Sequence, residues 1–129
     1  MIAAGGGRPA PPRRAQARLP PMDERHTIPE IDITAAHARL TDGRTLFMDV
    51  RDPGSHRAAR IPGAQRVDDG TIREFLEATD RDRPIVIYCY HGHTSLGGAA
   101  FLLDQGFREV FSLHGGFEAW RGVHPHESG

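Results

Sequence analysis

The sequence predicts an α/β fold in which helices flank a mainly parallel β-sheet. Short apolar runs at 45–50, 85–88 and 110–113 alternate with segments whose apolar residues recur at helical spacing. The run at 85–88 shows no polar alternation, which is typical of a strand buried on both faces of a parallel sheet. A chain of 129 residues with no visible internal repeat forms one domain.

The first part of the chain, residues 1–26, differs from the rest in composition. It contains five prolines, five arginines and a run of three glycines, so we expect a disordered tail. It has no apolar segment long enough for a secretory signal or a membrane span. Met22 is an alternative start, in which case residues 1–21 would not be translated.

Composition limits the classes of partner. The formal net charge is −1 and the pI is near 6.7, which gives no reason to expect a nucleic-acid partner. An arginine-rich arm in the first 26 residues could still touch RNA or an acidic surface, but a solvated tail is the simpler interpretation. A single cysteine excludes an intramolecular disulfide, argues against a cysteine-based zinc site and suits the reducing cytoplasm.

We place the folded domain at residues 27–123 and a C-terminal tail at 124–129. The elements predicted in its first half are an extended segment around Ile31, a helix capped by Thr34 that runs through Leu40, a strand at 45–50, a short helix at 56–60, a small strand at 65–67, and a helix capped by Thr71 that runs through Ala78.

The second half is predicted to contain two strands and two helices. A strand at 85–88 leads into a helix whose left-handed C-terminal cap is Gly106. A strand at 110–113, a tight turn at Gly115-Gly116 and a final helix at 117–120 complete the domain. The two histidines of the C-terminal tail, His124 and His126, are expected to be exposed to solvent and not to bind a metal.

The segment 89–95 is the predicted active site, because it joins a buried strand to a helix and begins with Cys89. The first N–H groups of a helix have no internal partner, and the helix dipole places partial positive charge there. A thiol in this position is shifted towards the nucleophilic thiolate. Gly92 lets successive N–H groups turn inward, and Thr94 and Ser95 can add hydroxyl donors or cap the helix. The alternative for Cys89 is a buried core cysteine.

Four motifs follow one another along the chain. They are Asp49-Val50-Arg51-Asp52, Ile61-Pro62-Gly63-Ala64, Cys89-Tyr90-His91-Gly92-His93-Thr94-Ser95 and Gly115-Gly116-Phe117-Glu118-Ala119-Trp120. In that order they resemble the rhodanese family, and most closely its short single-domain thiosulfate sulfurtransferases. The resemblance covers roughly residues 28–122.

The resemblance implies a single rhodanese-like domain that moves a sulfane sulfur from thiosulfate or a persulfide to a thiol or cyanide, through a persulfide on Cys89. It implies that Tyr90, His91, Gly92, His93 and Thr94 bind the substrate through their backbone N–H groups. Ser95, which follows them, is also predicted to bind substrate. It requires no metal and no organic cofactor. The expected partners are a small-molecule sulfur donor and a thiol acceptor, which could be a small thiol protein.

Two charged residues are predicted to support the site. In the family, the aspartate and arginine corresponding to Asp49 and Arg51 often brace the active-site loop, so the resemblance implies a supporting role for both. The alternative is an ion pair or turn cap with no role in the site. His91 and His93 could act as proton donors or partial cations, or could be hydrogen-bonded spacers.

Two absences in the loop narrow the chemistry. A cysteine-based phosphatase needs an arginine six positions after its cysteine to clamp the phosphate, and Ser95 stands there. Many rhodaneses carry a cation just after the loop, where this chain has Leu96. Because only His91, His93, Arg51 or Arg60 and the helix dipole remain, we expect weak thiosulfate binding, with a KM in the upper part of the usual range of ~1 μM to 1 mM or beyond it. A non-catalytic interaction module on the same fold is the alternative function.

Overall fold

The computed structural model describes residues 27–129, so the predictions for residues 1–26 lie outside the described part of the chain. Strands and helices alternate along these residues, as the sequence predicts. They are β1 (Glu30–Ile31), α1 (Ile33–Ala38), β2 (Leu46–Asp49), α2 (Pro53–Ala58), β3 (Gln65–Arg66), α3 (Ile72–Ala78), β4 (Ile85–Tyr88), α4 (Thr94–Asp104), β5 (Val110–Leu113) and α5 (Gly116–Arg121).

The five strands form one sheet in the order β1-β5-β4-β2-β3, and all four strand pairings are parallel. The predicted α/β class with a mainly parallel sheet is therefore confirmed. Asp49 at the end of β2 is paired with Tyr88 at the end of β4. Because the two strands end together, the segments 50–52 and 89–95 leave the sheet at the same edge. Ligands bind at this carboxyl edge in open α/β sheets.

The central strand β4 is buried along its whole length, and its side chains alternate between two cores. Val86 and Tyr88 belong to a core on one face of the sheet, to which α1 and α5 contribute Ala36, Phe117 and Trp120. Ile85 and Ile87 belong to a core on the other face, to which α3 and α4 contribute Phe75, Ala99 and Leu102. Burial on both faces is the reason that 85–88 reads as an uninterrupted apolar run.

The helix boundaries confirm some predicted caps and correct others. Gly106 has φ +99°, and the N–H groups of Gly106 and Phe107 donate to Leu103 O and Leu102 O at 3.0 and 3.1 Å, so α4 ends in a Schellman motif at the predicted glycine. The prediction of Thr34 as the cap of the first helix is wrong, because Asp32 caps α1 by accepting from Ala35 N at 2.8 Å.

Two further helix starts differ from expectation. α2 begins at Pro53, three residues before the predicted start, because Asp52 caps it by accepting from Ser55 N at 3.0 Å and proline suits the first helical position. α3 begins after Thr71 as predicted, yet the Thr71 hydroxyl makes no capping bond and instead accepts from Asp68 N at 3.0 Å.

The C-terminal residues 124–129 lie against the domain. Arg60 and Glu127 form an antiparallel backbone bridge, and Trp120 Nε1 donates to Pro125 O at 2.9 Å. His126 is exposed, as expected, whereas His124 is half-buried and stacks on His37 with ring centroids 4.2 Å apart. Among the helices of residues 27–129, none combines the length and the apolar character needed to cross a membrane.

Candidate active site

The side chain of Cys89 is held at the centre of the loop that joins β4 to α4. Its Sγ accepts from the N–H of Gly92 at 3.2 Å and from the N–H of Ser95 at 3.3 Å, and it lies 3.4 Å from Ser95 Oγ. Ser95 is in the first turn of α4, so the helix start faces the sulfur as the sequence predicts. Cys89 is buried, yet it lines a cavity of about 270 Å³ that opens to solvent.

The environment of Sγ favours the thiolate. Burial of Cys89 disfavours the charged form and by itself raises the pKa of the thiol, but hydrogen bonds from the Ser95 hydroxyl and from the N–H groups of Ser95, Gly92 and His91 outweigh burial and lower the pKa below its ordinary value. A buried core cysteine without such donors would show the opposite shift.

A second serine extends the hydroxyl contact into the core. Ser95 Oγ lies 2.7 Å from Ser112 Oγ, and both side chains are fully buried. Ser112 is on β5, the strand next to β4, and can donate to Ser95 Oγ while the Ser95 proton points at a thiolate. Ser112 was not predicted from the sequence to be part of the site. A polar residue in the middle of an apolar strand was the signal that could have found it.

The side of the loop that faces away from Cys89 Sγ packs against the start of α5. The N–H groups of Phe117 and Glu118 donate to Cys89 O and Tyr90 O at 2.8 and 2.9 Å. With these carbonyls turned towards α5, the N–H groups of the loop are turned the other way, towards Sγ. The segment that begins at Gly115-Gly116 therefore positions the loop, a role that was not predicted from the sequence.

Two glycines permit this close approach. Gly116 has φ +63°, and a Cβ there would lie 2.4 Å from Tyr90 O and 2.7 Å from Cys89 O. Gly92, at φ +92°, would place a Cβ 3.0 Å from Gly115 N and 3.2 Å from Leu113 O. Both positions need a left-handed backbone and have no room for a side chain. Gly92 was predicted as a turn residue of the loop, whereas the steric role of Gly116 was not.

The predicted support residues form a buried ion pair. Asp49 Oδ1 accepts from Arg51 Nε at 3.0 Å and from Arg51 N at 2.9 Å, and Asp49 Oδ2 accepts from Arg51 Nη2 at 2.7 Å. Tyr88 Oη also donates to Oδ2 at 3.0 Å, and His56 Nδ1 lies 2.9 Å from it. Burial alone would raise the pKa of Asp49, but these bonds and the charge of Arg51 lower it. Tyr88 and His56 were not identified from the sequence.

The Arg51 guanidinium connects the ion pair to the loop. It lies 4.8 Å from the ring centroid of Tyr90 in the loop and 4.4 Å from that of Phe117 at the start of α5. Its Nη2 also donates to Ala59 O at 2.6 Å, and its buried Nη1 has no hydrogen-bond partner within residues 27–129. The rings of Tyr90 and Phe117 stabilise the guanidinium through cation–π contacts. This geometry gives the expected support role a physical basis.

The predicted cations do not all reach the mouth of the cavity. The Arg51 side chain is only 2% exposed and is neutralised by Asp49. Arg60 lies elsewhere, where its Nη1 donates to His56 O at 3.1 Å and its Nε is 3.5 Å from a Glu127 carboxylate oxygen. Of the predicted cations, Arg51, His91 and His93 line the cavity and Arg60 does not. His91 and His93 are exposed, whereas the buried charge of Arg51 is paired with Asp49.

The loop brings together every residue predicted to bind substrate. Tyr90, His91, His93 and Thr94 line the cavity with Cys89, and the N–H groups of Gly92 and Ser95 reach Sγ. Ser95 itself is fully buried, so its side chain contacts the sulfur and not the solvent. Within residues 27–129, no three histidine, cysteine, aspartate or glutamate side chains are grouped closely enough to hold a metal ion.

Known proteins resemble this chain in sequence and in fold. Residues 32–122 match the family described as Rhodanese-like domain. Over 90 residues, the chain is 44% identical to thiosulfate sulfurtransferase GlpE from Stutzerimonas stutzeri (strain A1501), an alignment that covers 70% of this chain and 82% of that protein.

Solved structures show the same fold. The rhodanese-like domain of the Alr3790 protein from Anabaena superposes with a TM-score of 0.71 at 24% identity, over 78% of this chain and 79% of that one. The RPA3614 protein from Rhodopseudomonas palustris, described as a protein of unknown function and a possible tyrosine phosphatase, gives a TM-score of 0.69 at 26% identity. That match covers 94% of this chain and 100% of the other.

Proposed function

The chain belongs to the rhodanese-like domain family, and from that premise we propose that it is a thiosulfate sulfurtransferase in which Cys89 carries the sulfur. The observation that carries the proposal is the position of Cys89 Sγ, which accepts from the N–H groups of Gly92 and Ser95 at the start of α4. Hydrogen-bond donors that stabilise a thiolate also stabilise the anionic sulfur that replaces it after transfer.

The first half of the reaction loads the enzyme. The Cys89 thiolate attacks the outer sulfur of thiosulfate, and a new bond forms between the two sulfurs. The sulfur–sulfur bond of thiosulfate breaks, and sulfite leaves with the electron pair. A persulfide donor reacts in the same way and releases a thiolate. One nucleophile is sufficient, since the transfer is divided into two displacements.

The second half of the reaction transfers the sulfur from the enzyme to an acceptor. A thiolate or cyanide attacks the outer sulfur of the Cys89 persulfide, the bond between the sulfurs breaks, and its electron pair returns to Cys89. The products are an acceptor persulfide or thiocyanate. No redox partner is needed, because each bond that forms replaces one that breaks. The enzyme returns to the thiolate form that its hydrogen bonds favour.

The loop residues have distinct roles in this proposal. The N–H groups of residues 90–94 hold the outer sulfur of the persulfide, while Ser95 holds the inner sulfur of Cys89 through its N–H and hydroxyl. Asp49 and Arg51 act as positioning residues, because Arg51 packs on Tyr90 and its charge is paired with Asp49. The exposed imidazoles of His91 and His93 attract anionic donors.

The cavity fits sulfur transfer better than phosphate-ester hydrolysis. Ser95 occupies the position where a cysteine phosphatase needs an arginine, and it is fully buried against Cys89. The planar donor fork that clamps a phosphate dianion is therefore missing from the loop. We place the enzyme in the cytoplasm, with a small-molecule sulfur donor and a thiol acceptor as partners, and we expect thiosulfate to bind weakly.

The direct test is an intact-mass measurement of purified protein, without reductant, before and after brief incubation with thiosulfate. We expect a mass gain of one sulfur atom that disappears on addition of cyanide. The Cys89→Ser variant, which keeps the size and the hydrogen-bonding pattern of the side chain, should fold normally by circular dichroism and show no gain.

Two other outcomes would change the proposal. A gain with a small-molecule persulfide but not with thiosulfate would identify a carrier loaded by persulfides. No gain with either donor would contradict the enzyme and favour a binding module on the same fold. Substantial sulfur transfer by Cys89→Ser would show that another residue is the nucleophile.

A further inference from the structure

A second cavity adjoins the one that contains Cys89. Its volume is about 520 Å³, within the range of roughly 300 to 1,000 Å³ typical of small-molecule sites. The two cavities share Val50 and Thr94 as wall residues, and Thr94 is the first residue of α4, whose start faces the sulfur. A molecule in the second cavity can therefore reach the active site with one end.

The surface of this second cavity is mainly apolar. Its floor consists of Met48, Ile87 and Leu102, which are buried side chains of the sheet and of α4. One wall is Phe101, whose side chain is 41% exposed although it is a large apolar group. Exposure of an aromatic ring beside a concave apolar surface is a feature of ligand sites.

The part of the second cavity's rim that is not shared with the Cys89 cavity carries negative charge, and we call it the far rim. Asp68 and Asp69 both line the cavity at the end of the chain segment that follows β3. Asp68 is paired with Arg66 at 2.7 Å, whereas no hydrogen bond or ion pair of the Asp69 side chain occurs within residues 27–129. An unneutralised carboxylate at this rim disfavours a ligand with a negative far end.

We propose that this apolar cavity, lined by Met48, Val50, Ile87, Phe101 and Asp69, binds the body of the sulfur acceptor. The acceptor is a low-molecular-weight organic thiol with an apolar chain and a neutral or cationic far end. This inference rests on the proposed function, because the thiol must meet a persulfide on Cys89. Thiosulfate is too polar to gain from such a surface, which accords with a cavity that serves the second half of the reaction.

The chemical step is the discharge described above. The acceptor lies with its chain in the apolar cavity and its sulfur beside Thr94. Its thiolate attacks the outer sulfur of the Cys89 persulfide, the bond between that sulfur and Cys89 Sγ breaks, and Cys89 recovers the electron pair. The acceptor leaves as an alkyl persulfide. No further reactant is needed.

A series of linear thiols tests the site. Cys89 is first loaded with thiosulfate, excess donor is removed, and the loss of the sulfur is followed by intact mass with ethanethiol, propanethiol, butanethiol and pentanethiol. These thiols have similar intrinsic reactivity and differ in chain length. Full burial of one methylene is worth about a fourfold gain, so we expect the second-order rate constant to rise about two- to fourfold per methylene. A flat series would overturn the proposal and leave a protein thiol as the acceptor.

Matched variants locate the effect. Phe101→Gln removes the apolar wall and should reduce the ratio of the pentanethiol to the ethanethiol rate constant at least threefold. Val123→Gln is the control, because Val123 is 66% exposed, is the other large exposed apolar side chain of residues 27–129 and lies outside the cavity. An unchanged ratio in Phe101→Gln, or an equal reduction in Val123→Gln, would contradict the site.

The charge of the rim gives an independent test. A linear thiol with a terminal amine should remove the sulfur from Cys89 with a larger second-order rate constant than a thiol of equal length with a terminal carboxylate. Asp69→Asn should reduce the ratio of the two rate constants. Equal rates for the two thiols would remove Asp69 from the proposal. Failure of the cavity is distinguishable from failure of the proposed function, because loading by thiosulfate and discharge by cyanide would persist in the first case and not in the second.

Discussion

Two helix N-termini face the Cys89 loop from opposite sides, and they do different work. One side of the loop, its inner side, carries Cys89 Sγ, and there the start of α4 directs the N–H of Ser95 at the sulfur. The opposite side, its outer side, packs against α5, whose first N–H groups, those of Phe117 and Glu118, donate to the carbonyls of Cys89 and Tyr90. Both helices have N–H groups without a partner inside the helix, yet only α4 directs one at the sulfur of Cys89.

The difference lies in what the tertiary structure places against each helix start. The donors of α5 are satisfied by the backbone of the loop, so they are structural. The Gly92 and Ser95 donors face a sulfur that opens to a cavity, so they can stabilise a charge that comes and goes during the reaction. In this fold, the carbonyls of the loop therefore occupy the N–H groups at the start of α5, whereas the start of α4 remains directed at Cys89 Sγ.

Gly116→Ala should give the largest effect on this arrangement. The new methyl group would lie 2.4 Å from Tyr90 O, and the residue would keep a left-handed φ of +63°. Because backbone and not a flexible side chain is in the way, α5 must move from the loop, and we expect a loss of about 4 kcal/mol in the free energy of unfolding. Urea denaturation measures the loss, and sulfur loading should fall with it.

Gly43→Ala is the matched control for this substitution. Gly43 has φ +73°, but apart from its chain neighbours no atom lies within 4 Å of the position of a Cβ, so an alanine there would have the left-handed strain without the collision. We expect it to cost about 1 kcal/mol. Equal losses at the two positions would show that backbone strain, and not the contact between α5 and the loop, explains the requirement for glycine.

Asp49→Asn should have the next largest effect, because it acts on the same outer side through Arg51. The substitution leaves a buried guanidinium without a counter-charge beneath Tyr90. Removing one partner of a buried pair typically costs about 3 to 5 kcal/mol, which urea denaturation at neutral pH would detect. A loss below 1 kcal/mol would contradict the support role. The glutamate Glu109, in a partly exposed pair with Arg39, provides the control Glu109→Gln, which should cost far less.

The pH dependence of the same variant gives a second measurement. The pKa of Asp49 is lower in the folded protein than in the unfolded chain, so its carboxylate contributes stability above the unfolded pKa and loses that contribution as pH falls through the folded value. The wild type should therefore lose more stability than Asp49→Asn on acidification below about pH 4. Parallel losses would show that Asp49 does not contribute to acid unfolding.

The inner side should respond to smaller changes. Ser95→Ala removes the hydroxyl beside Cys89 Sγ, and Ser112→Ala removes the hydroxyl that supports it. Both should raise the pKa of the Cys89 thiol, so the rate of alkylation by iodoacetamide at neutral pH should fall about fivefold for Ser95→Ala and less for Ser112→Ala. Because the chain has one cysteine, the reaction reports Cys89 alone.

The pH profile separates electrostatics from folding in these two variants. The alkylation rate of the wild type should rise with pH and reach its plateau at a lower pH than the rate of an ordinary thiol does. Each variant should reach the same plateau at a higher pH than the wild type. A lower plateau with an unchanged midpoint would contradict the pKa effect and point to altered access to the sulfur. An unchanged Ser112→Ala profile would limit the network to Ser95.

The sequence predicted the loop better than its supports. Cys89, Gly92 and Ser95 were predictable because a buried strand, a glycine and a helix follow one another within a few residues, and the geometry of that junction is local. Ser112 and His56 are distant in sequence and reach the site through strand pairing and packing. Helix starts were predicted less well, since Asp32, Thr34 and Thr71 are all acceptable caps and only the fold decides which side chain is free to bond.

By itself, the sequence determined the parallel α/β class, the family resemblance and the junction of strand and helix that holds Cys89, because hydrophobic period and local turn chemistry are recorded in neighbouring residues. Only the tertiary structure decided that α5 bonds to the outer side of the loop, that Arg51 is neutralised by Asp49, and that an apolar cavity adjoins the cavity of Cys89. Each of these depends on groups far apart in the chain that meet only when the sheet forms, and no local pattern specifies which of them will meet.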